Sequence, residues 1–375
     1  MSGNAPDVVI VGGGIVGCAL AAFLAEDGAR VRLYEREHLA AGASGRNSGL
    51  LQHPMDEALT GVYAASAALY QELGHGFELP VEPVGVLVVS EDAAALEPTR
   101  ADLAARFPEL RAEALDAATL HAVEPTLADG LAAFRLDTGL PVPPAAATQA
   151  FAARARAAGA ELTEGVAATP LIEDGRATGV RTAAGTEPAG AVVVAAGPWT
   201  SALIAQPGVR SLREGWRPIT ALWGVNVELR LAQPPRHAIE EGGIEELQHA
   251  DGGLGPMFSL VTRDGVSALG STFLAEQPEP AAVAPALVER GARFVPALGG
   301  TQVVSVRACA RPMSVDGRPL LGPLTGTAGL FVAAGHGPWG ISLGPGSARL
   351  VADAVLGRPV AIAPEIAAAR FCPAA

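Results

Sequence analysis

The chain has 375 residues, with 26 basic against 39 acidic side chains and a net charge of −13. That length allows two compact units and a large core, while so acidic a surface argues against nucleic acid and anionic membrane as main partners. Cys18, Cys309 and Cys372 lie too far apart for a metal or paired-thiol motif, and residues 1–7 hold no basic residue of a secretory signal. No metal is expected, and a cytoplasmic protein is.

Residues 7–11 read Asp-Val-Val-Ile-Val and run into Gly12-Gly13-Gly14-Ile15-Val16-Gly17; residues 30–35 read Arg-Val-Arg-Leu-Tyr-Glu. Strand, glycine turn, helix, second strand and terminal acid form a dinucleotide-binding unit. Gly12 permits the tight turn, Gly14 lets the backbone approach a pyrophosphate, and Gly17 lets helix and strand pack closely. The phosphates belong on the helix N-terminus, at Ile15 and Val16, where free amides and the helix dipole favour anions. Glu35 can accept from the ribose hydroxyls and would repel a 2'-phosphate, an exclusion that the adjacent Arg36 weakens. The motif by itself does not separate NAD from FAD. Residues 8–25 are apolar or glycine almost throughout, but the clustered glycines fit this unit better than a membrane span.

Further along, residues 56–73 have helical period, and 78–89 read as a strand that starts only after Pro83. Residues 90–123 are mostly helical, starting at Ser90-Glu91-Asp92, with breaks expected at Pro98 and Pro108. Pro143-Pro144 opens a helix that Gly159 stops. Short strands follow at 161–163 and 169–172, then a turn at Asp174-Gly175, then strands that end in a buried run at 191–196. Residues 216–231 and 257–272 are strand-like, the second pair joined at Asp264-Gly265. They suggest an antiparallel sheet separate from the nucleotide unit. A helix at 281–294 leads into a strand at 302–311. The chain closes with a strand at 330–335, a turn with five glycines over 335–346, and a helix at 347–356.

With these segments in order, the chain resembles the D-amino-acid oxidase and dehydrogenase superfamily of FAD enzymes, which includes glycine oxidase and sarcosine oxidase. Ser44-Gly45-Arg46-Asn47-Ser48-Gly49-Leu50 looks like the family segment that lies along the flavin ring. Residues 192–197 with Pro198-Trp199 are similar to its second nucleotide-contacting motif, which implies roles for Ala196, Gly197 and Trp199. Ala168 sits where the family uses a small apolar residue against the adenine. Residues 311–319 and 335–340 look most like bacterial D-amino-acid dehydrogenases. The resemblance turns the cofactor from NAD to FAD.

It also implies the fold: an α/β flavoprotein of two domains, a Rossmann-type FAD-binding domain over 1–77, 143–210 and 303–375, interleaved with an antiparallel-sheet substrate domain over 78–142 and 211–302. On the strand at 302–311, Ser305, Arg307, Cys309 and Arg311 share one face and Val304, Val306, Ala308 and Ala310 the other. A polar face of this kind can simply meet solvent. The matching family arginine, however, binds the substrate carboxylate with two hydrogen bonds, which gives Arg311 that role by analogy. The turn with Gly335, His336, Gly337, Trp339, Gly340 and Ile341 would face the part of the flavin where charge collects on reduction. His336 can orient the ring or fill space, and Trp339 can line the substrate site or the core. Gln52 and His53, which follow the flavin-ring segment, are expected to look into the cavity, with His53 a candidate catalytic residue, and one of Trp216, Trp223, Phe258 and Thr272 is expected to line the pocket.

Cys309 resembles, by its spacing to Asp316, the cysteine that carries covalent flavin in monomeric sarcosine oxidases, whereas Arg311-Pro312 fits the non-covalent branch; non-covalent FAD is the expectation. The activity implied is oxidation of a small amino acid, a D-amino acid or an N-substituted glycine, to an imine by hydride transfer to flavin N5. Oxygen or a quinone would reoxidise the flavin. Oxidation of a 2-hydroxy acid or a carboxylate-free amine, and a flavoprotein subunit without turnover, remain open alternatives.

Overall fold

The computed structural model describes residues 5–209, 217–242 and 256–372. Val8–Val11 is a strand of four buried β-branched residues, paired in parallel with Val31–Tyr34 on one side and Ala191–Val194 on the other. Glu161–Thr163, Leu330–Ala334 and an antiparallel edge, Leu320–Pro323, complete a six-stranded sheet. Strands covered on both faces carry no polar alternation, hence the continuous Val and Ile runs. The helix Ile15–Glu26 packs against this sheet and against helices Ala146–Ala157 and Gly340–Val355, and it is buried from Ile15 to Ala25. Phe23 meets Phe151 edge-on at 5.7 Å. A helix surrounded in this way is apolar all round, which accounts for residues 8–25. Among the described residues no helix is long and apolar enough to cross a membrane.

A second sheet of eight strands runs in the order Val303–Ser314, Ile219–Leu229, Val266–Gly270, Ser259–Arg263, Ala238–Glu241, Val86–Ser90, Ala132–Leu136 and Glu113–Leu115. All its pairings are antiparallel except that of Ala238–Glu241 with Val86–Ser90. Helix Pro280–Ala292 packs on this sheet, and Phe258 stacks on Phe294 in the core beneath, with ring centres 4.6 Å apart. Fully burying each such aromatic or aliphatic side chain is worth roughly 1.5–3 kcal/mol. Thr169–Glu173, Arg176–Thr182 and Gly185–Pro188 form a separate three-stranded meander, turning at Asp174 and Gly175, both with positive φ.

Several sequence expectations are revised. Pro98 does not break its helix: it lies inside Ala93–Arg106, where the amide it lacks leaves only the carbonyl of the exposed Ala94 to be met by water. Short strands at Glu113–Leu115 and Ala132–Leu136 were missed. Val303–Ser314, expected to open the last segment of the nucleotide unit, pairs along its length with Ile219–Leu229, so the antiparallel sheet extends to Ser314. The last helix begins at Gly340, not after residue 346. Gly344 and Gly346 lie within it, where a Cβ would crowd the Ile15 side chain at the first and overlap the Val62 carbonyl at the second. Trp216 lies outside the described residues.

Candidate active site

A cavity of about 1140 Å³ opens between the two sheets, larger than the roughly 300–1000 Å³ of a drug-sized ligand site. At one end it is lined by Gly12, Gly14, Ile15, Val16, Glu35, Arg36, Ala168, Ala196, Gly197 and Trp199. Gly12 has φ +114°, and a Cβ there would overlap the Ala195 carbonyl oxygen. Gly17 does not line the cavity. A Cβ on it would overlap the Gly12 carbonyl, so its hydrogen is what lets helix and turn close together. The helix N-terminus is thereby brought to the cavity wall, the arrangement that receives a pyrophosphate.

Glu35 accepts from the Gly13 amide at 2.7 Å and from the Glu37 amide at 2.9 Å. A carboxylate has about four acceptor sites, so it keeps capacity for ribose hydroxyls. Ser44 Oγ accepts from the Ile15 amide at 3.0 Å. The Arg36 guanidinium lies 3.8 Å above the Trp199 ring and closes that end.

Along the middle of the cavity lie Ser44, Arg46, Asn47, Ser48 and Leu50. Asn47 knots this segment, donating to the Ala43 and Ser44 carbonyls and accepting from the Gly49 amide at 2.8 Å. Gly49 faces away, with φ +80° and the Val142 carbonyl against it. Arg307 donates to the Arg46 and Asn47 carbonyls and to Glu228, so it ties the segment to the sheet above. From the other side come His336, Gly337, Trp339, Gly340 and Ile341, all lining, whereas Gly335 is turned against Leu320. His336 is buried with Nε2 3.0 Å from Ser347 Oγ, and burial pushes its pKa down to about 4, so the ring is neutral near pH 7.

The far end is framed by Trp223, Phe273, Ser271, Gln52 and Glu240, with Arg311 among them. Arg311 donates to the Thr272 carbonyl at 2.8 Å and to Ser271 Oγ at 2.5 Å, and it stacks 4.5 Å from the Phe273 ring. Both hydrogen-bond acceptors are neutral, and among the described residues no carboxylate pairs with this half-buried cation. Burial lowers its pKa. Gly224 opposes Cys309 in the neighbouring strand, and a Cβ there would overlap the guanidinium. Cys309 also lines the cavity, and burial raises its thiol pKa.

Of the aromatic candidates, Trp223 reaches the cavity while Phe258 is core, and Thr272 spends its hydroxyl on the Trp223 carbonyl and Val225 amide. His53 is a correction: it is 3% exposed, does not line the cavity, and is wedged between the Tyr63 and Phe107 rings. Its Nδ1 accepts from the Met55 amide at 3.1 Å. The residue that lines the cavity is its neighbour Gln52, because side chains alternate along the extended chain. Gln52, expected with His53 to look into the cavity, does line it, while sequence reasoning missed Gly224, Ser271 and Glu240. Only the strand pairing brings Ser271 and Glu240 to the cavity and Gly224 beneath the Arg311 fork.

Residues 7–354 match the DAO family, FAD dependent oxidoreductase, and the chain belongs to it. The protein is therefore an FAD-dependent oxidoreductase, and the cavity's glycine turn, acid and helix N-terminus suit that dinucleotide. It is similar to glycine oxidase of Bacillus licheniformis, 26% identical over 373 residues that cover 94% of each chain. It is 32% identical to D-amino acid dehydrogenase of Cereibacter sphaeroides over 223 residues, 59% of this chain and 47% of that one. The crystal structure of iminodiacetate oxidase from Chelativorans sp. BNC1 superimposes with a TM-score of 0.82 at 25% identity, covering 98% of both chains.

Proposed function

We propose that this flavoprotein oxidises the C–N bond of a small amino acid, either a D-amino acid or an N-substituted glycine, to an imine that water then hydrolyses. The observation that carries this reading is the Arg311 guanidinium, half-buried at the cavity wall and held by a carbonyl and a hydroxyl with no acidic partner among the described residues. A half-buried cation without a counter-charge is incompletely compensated until an anion meets it. A substrate carboxylate would supply that charge and take paired hydrogen bonds from the planar fork. FAD, when bound, supplies the hydride acceptor at flavin N5.

The chain's own part is mainly positioning. Ser271 and Thr272 fix the guanidinium, and Trp223, Phe273 and Trp339 wall the site with aromatic surface. Correct orientation of two reactants is worth on the order of 7 kcal/mol or more. With the amine bound neutral, no side chain has to remove a proton from carbon. The raised thiol pKa of Cys309 favours non-covalent FAD, because the thiolate is the nucleophile. Oxygen or a quinone would accept the electrons, and reoxidation of the reduced protein by each distinguishes them.

The test is anaerobic mixing of the yellow protein with D-amino acids, N-methyl amino acids, amines and 2-hydroxy acids. Bleaching by an amino acid is expected. Bleaching by hydroxy acids or simple amines alone would overturn the reading, and no bleaching at all would favour a subunit without turnover. Arg311→Ala should raise the KM of amino acids strongly while the protein stays yellow.

A further inference from the structure

Gln52 is 7% exposed and lines the cavity. The extended chain around it is pinned twice, its own backbone amide donating to Ser342 Oγ at 3.1 Å and that of His53 to Thr138 Oγ1 at 2.8 Å. Its Nε2 donates to Glu240 Oε2 at 3.5 Å, while its Oε1 is buried with no hydrogen-bond partner among the described residues. A carboxylate only accepts, so the nitrogen faces Glu240 and the oxygen faces the other way. Glu240 has a further interaction of its own, and the open acceptor is the amide oxygen alone. An orphaned buried acceptor is a standing cost that a matching donor removes.

The sheet register relates this oxygen to the Arg311 fork. The fork rests on Ser271 Oγ, and Ser271 follows Gly270, which opposes Ser259, which in turn opposes Glu240. Two strand spacings of about 4.8 Å set the anchor of the fork and the anchor of the amide about 10 Å apart across the sheet. A hydrogen bond of about 2.9 Å at each end takes up about 6 Å of that distance. What is left suits the short span from a carboxylate oxygen, across one carbon, to an amine nitrogen. The α-amine of an amino acid held by Arg311 is thus a donor at the right separation. Bound neutral, it needs a partner that accepts a hydrogen bond without taking the proton, and an amide oxygen is such a partner. As the hydride leaves the α-carbon, positive charge grows on the nitrogen and its N–H donates more strongly. The bond therefore tightens towards the transition state, where binding energy raises turnover.

We propose that Gln52 Oε1 accepts a hydrogen bond from the α-nitrogen of the substrate, so that the enzyme selects primary and secondary amines over tertiary ones, which carry no N–H when neutral. This rests on the reading of Arg311 as the carboxylate site, and the test separates the two. The holoenzyme is given glycine and both enantiomers of alanine, each with its N-methyl and N,N-dimethyl forms, and flavin reduction and steady-state turnover are followed. In the parent, the better of the primary and secondary amines of a series should exceed the tertiary one in kcat/KM by at least tenfold. Gln52→Leu and Gln52→Met keep the bulk of the side chain and remove the acceptor. In both, the N–H-bearing substrates should lose at least tenfold, in kcat as well as in KM, while the tertiary amine changes less than twofold. Acetate, a carboxylate without an amine, should perturb the flavin spectrum with the same Kd in parent and variants. A tertiary amine turned over by the parent as well as its secondary analogue would overturn the role of Gln52. So would a selectivity ratio unchanged in the variants, which marks exclusion by bulk. Either result with acetate still bound leaves Arg311 its role. No response to acetate and no reduction by any of the amines, in protein that is yellow and folded, would remove both.

Discussion

Gly224 and Arg311 claim the same volume: a Cβ built on the glycine would overlap the guanidinium that the neighbouring strand lays across it. The one hydrogen atom that glycine carries is what lets a long cation lie flat on the sheet with its fork on Ser271 and Thr272. Gly224→Ala should displace the fork without touching the nucleotide end. The expected result is a KM for amino acids raised by tenfold or more in protein that still binds FAD. Steady-state kinetics together with flavin absorbance check this, and unchanged KM would show that the fork does not bind substrate.

Two glycines of the nucleotide half predict opposite outcomes. Gly17→Ala drives a methyl into the Gly12 carbonyl, a backbone atom that cannot swing aside, so the change should cost at least the 1–3 kcal/mol typical of overpacking and weaken FAD uptake. Gly61 is exposed inside the helix Glu57–Gln71 and has nothing within 4 Å of its absent Cβ. Gly61→Ala should stabilise the protein by roughly 0.5–1 kcal/mol. Thermal unfolding of the two variants beside the parent reads both signs.

His336 makes stability depend on pH. Its pKa is lowered by burial from 6.5 to about 4 in the folded chain. Between those values the unfolded chain binds a proton that the folded one refuses, so this contribution is fully present above pH 6.5, falls with pH through the window and levels off below about 4. The total is about 3 kcal/mol. Denaturant titrations of the parent and of His336→Gln across pH 4–7 should show a shallower slope in the variant. Equal slopes would place the titration elsewhere.

Cys309 offers a colour test. Acid precipitation should leave the yellow in the supernatant, and Cys309→Ser should bind FAD as the parent does. Colour retained in the pellet of the parent and lost from that of the variant would establish a thioether link and refute non-covalent binding.

The asymmetry in what could be read beforehand follows from range. The strand, glycine turn, helix and acid of residues 8–35 are contiguous, and their roles depend on φ angles, close approaches and a helix end set within that stretch, so Gly12, Gly14, Gly17 and Glu35 were legible in the sequence. Asp56 and Asp92, each closing a helix N-terminus with its own side chain, are local in the same way. Pro98 and the glycines at 344 and 346 misled because propensity is a weak signal beside packing: an exposed proline can sit inside a helix, and a glycine can serve a neighbouring helix instead of a turn.

Arg311 could be reached only through a resemblance, and of Gln52 and His53, both expected to look into the cavity, only Gln52 does, since a loop sequence does not state which side chain faces inward. The chain's own residues determined by themselves that a dinucleotide unit opens the protein. Only the tertiary structure decided what the far end of the cavity holds. There Gly224, Glu240, Ser271 and Arg311 arrive from separate strands, and their meeting depends on strand order and register, which are written in contacts between distant segments.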